Sequence, residues 1–404
     1  MTSIFTENAA ANNQELAGEL RRYGTFEELC RSKFYLAHQA ELRKLLDEPR
    51  VYISPGARPR LRSFLRVVEW NIERGSRLDG IIEALNTHEV LRFADLLLLN
   101  ELDHGMVRSG NVNVALELSQ ALEAHAVYGV EYLELTKGTG HEVKLQGENT
   151  AALHGNAILT RHSFSNPEVV RLPRCENNFE SAEKRVGGRI GISIDLEIAG
   201  ATLIAATTHL DVVNSPRCRA RQLRGLLEAV DLRVKAHGAR AAGIVAGGDL
   251  NTHTFARGGQ LRAMKNTALI LGSSPQGLAN RLLNPGRTEP AFGEFARFGY
   301  ETGGLNDRQP TSRSIVSALD DTSRLPLPMK WWVRRRVPPE GLLLEFRLDW
   351  LAARGLKALR NGEAIDTESG VTSIAAQTLA GLLHQGRAVS DHDPIVVDLE
   401  VPGR

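Results

Sequence analysis

Short apolar runs of strand length recur along this chain, and most of its sharpest polar clusters sit at their edges. The clusters are Trp70-Asn71-Ile72-Glu73, Asn100-Glu101, Thr208-His209-Leu210, Gly248-Asp249-Leu250-Asn251, Leu348-Asp349-Trp350 and Ser390-Asp391-His392. Five of the six border an apolar run. Runs of this length mark strands, and amphipathic stretches between them mark helices. Strands are expected at 64–70, 95–100, 127–135, 156–160, 190–198, 201–209, 243–249, 343–351 and 394–401, and helices near 77–87, 113–125, 217–237, 258–272 and 373–385. Ile190–Ile198, the turn at Ala199-Gly200 and Ala201–His209 read as an antiparallel pair. Strand pairs mixed with single crossover helices favour two sheets packed face to face, with helices outside each.

Two segments stand apart. Residues 1–60 read as a helical N-terminal extension, with apolar residues at helical spacing over Phe26–Leu46 and a Pro/Gly/Arg linker at Ser54–Pro59. The main domain is expected over 61–404. Within it, 253–342 is rich in Gly, Pro and Arg and reads as a long inserted loop region on the active-site side.

Composition narrows the class. The chain has 404 residues, 42% hydrophobic and 24% charged, enough for one large α/β domain. Lys plus Arg is 49 and Asp plus Glu is 48, a net charge of +1, so any preference for a polyanion must come from local patches. Cys30, Cys175 and Cys218 are odd in number and scattered, which suggests free thiols in a reducing compartment. The N-terminus lacks a basic stretch followed by an apolar core, and no apolar run reaches the roughly 18–20 residues of a membrane span. A cytoplasmic protein is the expectation.

The clusters supply what hydrolysis of a phosphate ester requires: carboxylates, amides and imidazoles held at strand ends. Such barriers must be lowered by about 8–23 kcal/mol. A divalent cation, neutral donors, an activated water and help for the leaving oxygen are the usual means. Glu101, where a buried strand surfaces, is placed to be a rigid carboxylate ligand. Asn71 and Glu73 share one face if the segment is extended; Asn71 can orient an acid or donate to phosphate, and Glu73 can help hold the cation. Asp249 can position or deprotonate water beside the Asn251 amide. Asp349 can fix the His392 tautomer and raise its basicity, and Asp391 can reach the metal. His209 can donate to a phosphate oxygen or to the leaving group. Asn156 and Arg185 are candidates for phosphate contact. Taken singly each cluster has a plain reading as a turn, a cap or a solvated strand end. Their joint occurrence in order is what points to a site. His104, His141, His154 and His162 lack paired ligand spacing and read as structural or surface residues.

Seven motifs carry a resemblance to the endonuclease/exonuclease/phosphatase superfamily over about residues 62–401. They are Val68-Glu69-Trp70-Asn71-Ile72-Glu73, Leu99-Asn100-Glu101-Leu102-Asp103, His154-Gly155-Asn156-Ala157-Ile158-Leu159, Thr208-His209-Leu210-Asp211, Gly247-Gly248-Asp249-Leu250-Asn251-Thr252, Arg347-Leu348-Asp349-Trp350 and Ser390-Asp391-His392-Asp393-Pro394. The resemblance implies a four-layer α/β/β/α sandwich of two mixed sheets and an in-line attack by water dependent on Mg²⁺ or Mn²⁺. It implies Glu101 as the main metal ligand, helped by Asn71, Glu73 and Asp391. Asp249 and Asn251 would then handle water and phosphate, and the Asp349–His392 couple the scissile group. The chain departs from the pattern in Glu73, where Asp is common, in Asn100, where Gln is commoner, and in the length of 253–342.

The substrate is less legible. A nuclease is the leading expectation, drawing on Arg58, Arg60, Arg62 and Arg66, on Arg217, Arg219, Arg221 and Arg224, and on Arg334–Arg336. A phospholipid or inositol-phosphate esterase draws on Trp331-Trp332 beside three arginines, a pairing that suits peripheral membrane contact. An inactive binding scaffold would be expected to lack one of Glu101, Asp249, Asn251 or His392, and all are present.

Overall fold

The computed structural model describes residues 7–175, 177–238, 241–253, 260–316, 325–338 and 340–401. Eight strands form one mixed sheet: β1 (Arg50–Tyr52), β2 (Phe64–Arg74), β3 (Leu96–His104), β4 (His125–Glu134), β5 (Leu153–Thr160), β7 (Arg185–Gly187), β14 (Gln377–Thr378) and β17 (Ile395–Glu400). Their order is β1-β4-β5-β3-β2-β17-β14, with β7 paired to β4. A second sheet holds β6 (Phe164–Arg171), β8 (Ile190–Ile198), β9 (Ala201–Thr208), β10 (Ala241–Asp249) and β13 (Asp349–Arg354), in the order β13-β10-β9-β8-β6. β2 runs parallel to β3 and β9 to β10; the other pairs named here are antiparallel.

The period-two alternation of each strand decides which layer a residue joins. Leu65, Val67, Leu96, Leu98, Ile192 and Val245 turn into a core shared by the two sheets. The intervening residues, such as Val68, Trp70, Leu97 and Leu99, face outward and are covered by helices α4 (Leu78–Thr87) and α5 (Val114–Ala121). On the far side Ile204, Ala206 and Ile244 lie under α6 (Pro216–His237) and α9 (Ala291–Arg297). At about 1.5–3 kcal/mol for each large side chain removed from water, these three cores drive the layering. The result is an α/β/β/α sandwich of two mixed sheets. In the β8–β9 turn both Ala199 (φ 52) and Gly200 (φ 80) are left-handed, the geometry that matches the strand twist.

The N-terminal helices α1 (Glu7–Arg21), α2 (Phe26–Arg31) and α3 (Lys33–Asp47) add Leu16, Leu20, Leu29 and Leu42 to the outer core of the first sheet, and β1 extends that sheet beside β4. The 253–342 stretch has its own order. Helices α7 (Gln260–Gly272), α8 (Pro275–Leu283) and α10 (Leu327–Arg336) accompany an antiparallel ribbon of β11 (Ser312–Val316) and β12 (Leu342–Phe346). Leu278, Leu282, Leu344, Phe346 and Leu348 form its core. Residues 254–259 and 317–324 lie outside the described residues.

Three expectations are corrected. The single strand at 343–351 is two, because the chain leaves the β12 ribbon at Arg347 and joins the second sheet at Asp349. The helix at 373–385 is absent. There Gln377 and Thr378 pair with β17, and β15 (Leu383–His384) and β16 (Arg387–Ala388) make a hairpin through Gln385 (φ 48) and Gly386 (φ 75). Its helix-like apolar spacing serves packing instead, since Ile374, Leu379 and Leu382 lie against the first core. Finally, Cys175 and Cys218 are joined as a disulfide with Cα atoms 6.2 Å apart, so only Cys30 is a free thiol among the described residues. The odd count concealed a pair brought together by the loop before β7 and the first turn of α6.

Candidate active site

Strand direction gathers the polar clusters at one end of the sandwich. Asn71 is level with Asn100, Leu102 with Gly155, Ile395 with Glu69 and Asp249 with Asp349. Along the faces between the sheets, apolar residues give way to polar ones toward that end. Leu65 and Val67 lead to Glu69 and Asn71; Leu96 and Leu98 lead to Asn100; Val245 leads to Gly247 and Asp249.

Bulges then re-aim the last residues of the strands. Register slips between Asn71 and Arg74 and between Leu99 and Leu102. Glu73 (φ 45), Glu101 (φ 57) and Asn251 (φ 50) are all left-handed, a conformation that costs about 1–3 kcal/mol and collects at functional sites. The extended geometry expected for Asn71 and Glu73 is therefore broken. Glu73 is turned to a half-buried position where it pairs with Arg77 at 2.9 Å. Gly248 (φ 143) lets β10 press on β9, since a Cβ there would stand 1.8 Å from the Thr208 carbonyl oxygen.

Hydrogen bonds tie the two sheets together. Asn71 Nδ2 donates to Glu101 Oε1 at 3.2 Å and to Asp249 Oδ2 at 3.1 Å. Asn100 Oδ1 accepts from the Asp249 backbone N–H at 2.7 Å, while its Nδ2 donates to Thr207 Oγ1 at 3.3 Å. His392 Nδ1 lies 2.7 Å from Asp349 Oδ2, and its carbonyl accepts from Trp70 Nε1 at 2.9 Å. Asp249 Oδ2 is the meeting point, 3.4 Å from His209 Nε2 and 3.9 Å from His392 Nε2.

Burial sets the charge states. It pushes the Asp249 carboxyl up to about 7, together with the negative charge of Asp349 and against the pull of His392. Burial alone would lower His392, but Asp349 and Asp249 raise it well above the ordinary imidazole value, so it is an imidazolium. His209, buried beside Arg189, His154 and His392, is held well below that value and is neutral. Neither of its ring nitrogens has a hydrogen-bond partner.

Glu101, Arg185, His209, Asp249, Asn251, Asp391 and His392 border one cavity of about 910 Å³. Asp349 supports it from behind through His392. Asn156 stands further back: it donates to Glu131 Oε1 at 3.0 Å and accepts from the Glu101 backbone N–H at 3.4 Å, so it orients the Glu101 strand end. The Asn251 amide nitrogen is engaged by the Leu210 carbonyl at 2.8 Å. Asn71, as hydrogen-bonded here, offers N–H rather than oxygen to Glu101.

Sequence reasoning missed Arg74, Arg108, His154 and Arg189 on the cavity wall. His154 is bonded to Asp103 at 2.8 Å, and Arg108 to the same carboxylate at 2.8 Å. The position of Asp103 two residues after Glu101 was the available signal. Four arginines of the basic clusters proposed for nucleic acid carry a carboxylate partner: Arg66 with Asp398, Arg62 with Glu368, Arg219 with Glu289 and Arg224 with Glu294. Trp331 is exposed on α10 with the Arg335 guanidinium 4.0 Å above its ring.

The donor set fits a hard divalent cation. Glu73 and Asp391 are both raised by burial and by neighbouring carboxylates, Glu101 among them, a repulsion that a cation relieves. Glu101 itself stays low despite burial, through His154, Arg74 and its hydrogen bond from Asn71. Three carboxylates with no sulfur suit oxygen-seeking ions. Asp249, Asp349 and His392 form a tighter cluster, but the hydrogen bond and the imidazolium proton account for its cohesion.

No protein-family model and no curated protein matches the sequence. Solved structures resemble it in fold. The human Nocturnin catalytic domain with bound sulfate is 16% identical, covering 88% of this chain and 96% of that one, with a TM-score of 0.44. An endonuclease/exonuclease/phosphatase family protein from Leptotrichia buccalis is 13% identical, over 83% and 100%, with a TM-score of 0.45. D. rerio TDP2 complexed with a single-strand DNA product is 16% identical, over 84% and 100%, with a TM-score of 0.43. These overlays are loose, and nothing about substrate passes from them to this chain. Two mixed sheets face to face, helices on both outer faces and seven motifs drawn to one end are the arrangement that the motif resemblance to the endonuclease/exonuclease/phosphatase superfamily implies.

Proposed function

We propose that the protein is a divalent-metal-dependent phosphodiesterase that cleaves its substrate by in-line attack of water. The convergence of Asn71, His209 and His392 on Asp249 Oδ2 carries this reading. Glu101 would hold the cation, with Glu73 and Asp391 completing its oxygen shell, and Mg²⁺ or Mn²⁺ there would draw charge from a non-bridging phosphate oxygen. Asp249, raised to about 7, accepts the proton of the attacking water. The His392 imidazolium donates from Nε2 to the phosphate, fixed in orientation by Asp349. Neutral His209, with both nitrogens unbonded, donates to a phosphate oxygen or to the departing alkoxide. Arg185 supplies positive charge from the cavity wall, and Asn251, its backbone N–H on Asp249 Oδ1 at 2.9 Å, fixes the base. Water adds to phosphorus as the ester oxygen leaves, giving a phosphomonoester and an alcohol.

Nucleic acid, favoured by the sequence, and phospholipid or inositol phosphate share this chemistry and differ in what surrounds the scissile group. The test is hydrolysis of bis(p-nitrophenyl) phosphate with Mg²⁺ or Mn²⁺. His392→Ala and Glu101→Ala should each lower kcat by about 10²–10⁴-fold. Activity surviving both substitutions, or indifferent to chelation, would refute the assignment.

A further inference from the structure

The Cys175–Cys218 disulfide takes no part in hydrolysis, yet it joins two segments that shape the cavity. Cys175 follows β6, on the segment that goes on to Glu183, Arg185 and Arg189 of the cavity wall. Cys218 stands in the first turn of α6, shortly after the end of β9 that brings His209, Val212 and Val213 to the same cavity. Polar contacts continue the seam between the two segments. Gln222 Nε2 donates to the Pro173 carbonyl at 3.2 Å and to Asp211 Oδ2 at 2.9 Å, and Asp211 Oδ1 lies 3.5 Å from Arg189 Nε. The bridge is thus linked to a cavity arginine through one buried carboxylate.

The surroundings suit the reduced pair as well as the bridge. Cys218 Sγ has Asp211 Oδ2 at 3.9 Å to receive its S–H, and Cys175 Sγ has the Pro173 carbonyl and Arg221 Nη2 each at 3.7 Å. A guanidinium beside a sulfur favours the thiolate, and partners for both thiols make a disulfide easier to reduce. Cys218 is buried but Cys175 is only partly so, which leaves one sulfur open to an incoming thiolate. We propose that Cys175–Cys218 is a reversible thiol switch that sets substrate affinity by holding the Arg185–Arg189 segment against the start of α6. This rests on the phosphodiesterase reading and adds a regulation of that site. In the exchange a glutathione thiolate attacks Cys175 Sγ, Cys218 leaves and takes up a proton, and a second glutathione thiolate displaces Cys175. Two glutathiones become one glutathione disulfide, and the protein gains two electrons and two protons. Glu101, Asp249 and His392 lie on other segments, so the reduced enzyme keeps its catalytic floor and loses alignment of the arginine wall.

The experiment uses the full chain carrying Cys30→Ser, which leaves this pair as its only cysteines. Samples equilibrated at graded ratios of reduced to oxidised glutathione are thiol-trapped and weighed by mass spectrometry, and hydrogen exchange is compared between the two forms. The folded protein should pass reversibly between them, with faster exchange over 172–189 and around Asp211 when reduced. With bis(p-nitrophenyl) phosphate and Mg²⁺, reduction should raise KM about tenfold at nearly constant kcat, the weight of one charge-assisted hydrogen bond. Calorimetry with inorganic phosphate, which needs no turnover, should show the same weakening. Cys175→Ser, at the open end of the bridge, should hold the weaker binding under either condition. Should hydrolysis be absent, the phosphodiesterase reading falls, while trapping, exchange and the phosphate Kd still decide the switch. A bridge that stays closed in glutathione until the chain unfolds, or equal affinity and equal exchange in both forms, would overturn the proposal even in an active enzyme.

Discussion

Glu69 is the least comfortable residue in the molecule. It is fully buried one strand position below the site, and neither carboxylate oxygen has a hydrogen-bond partner. Burial, with the negative charge of Asp349 and Asp249, raises its pKa well above the ordinary value. A carboxyl with a raised folded pKa is protonated in the fold and ionised in the unfolded chain. Its contribution is present below about pH 4 and is lost as pH rises through the folded value. Glu69→Gln removes that proton uptake at equal volume, so the variant should match the parent in urea midpoint at pH 4 and exceed it at pH 8. A variant less stable at pH 8 would mean that ionised Glu69 makes a contact. Residues of this kind explain what was legible in the sequence. Asp249, His392 and Glu101 stood out because polar residues ending apolar runs are unusual. Glu69 lies inside the apolar run of β2 rather than at its end, while Asn156 and Asn251 carry the right chemistry but turn it toward backbone and carboxylate partners that no spacing reveals.

Strands were read more accurately than what joins them, because period-two alternation survives as a signal wherever two faces differ. Bulges have no such signal. The slips at Asn71–Arg74 and Leu99–Leu102 aim Glu73 and Glu101, yet they appear in the sequence as uninterrupted strand. The 373–385 segment failed in the opposite sense: its helical spacing was real, but Gly381 and Gly386 and pairing with β17 favoured an extended path. Two glycines test the local argument. Gly248→Ala demands both a φ of 143° and a clash with the Thr208 carbonyl, so it should destabilise by at least about 2–3 kcal/mol and cut activity through Asp249. Gly293→Ala, in helix α9 with open space around it, should stabilise by up to about 1 kcal/mol. Urea midpoints of both variants decide the matter, and equal shifts in the same direction would discredit the backbone account.

For the whole molecule, buried titratable groups set opposing trends with pH, and their balance is calculable in sign. Arg108 pairs with Asp103 and Glu183; despite burial it holds Asp103 well below the usual range and, after Arg185, helps bring Glu183 to about 2. Depressed carboxylates stabilise above their unfolded values and lose that stabilisation as pH falls below about 4. Burial lowers His104 and His162 to about 4 and holds His209 well below the ordinary imidazole value, so their penalty eases as pH rises toward 6.5. Over the same interval Asp95, raised by burial to about 6, and Asp249, raised to about 7, lose stabilisation. These trends oppose one another between about pH 4 and 6.5. Beyond that the histidines have no more to give, while Asp249, Glu69 and the raised His392 continue to lose. The metal-free protein should therefore show a plateau of stability between about pH 4 and 6.5, with a fall on each side. A cation bound by Glu101, Glu73 and Asp391 competes with protons, so it should stabilise most on the alkaline side, by about 2.7 kcal/mol at a hundredfold excess over its Kd. Urea midpoints from pH 3 to 9, in chelator and in Mn²⁺, measure both effects. A cation effect equally large at pH 4.5 and pH 8 would place the ion away from these carboxylates.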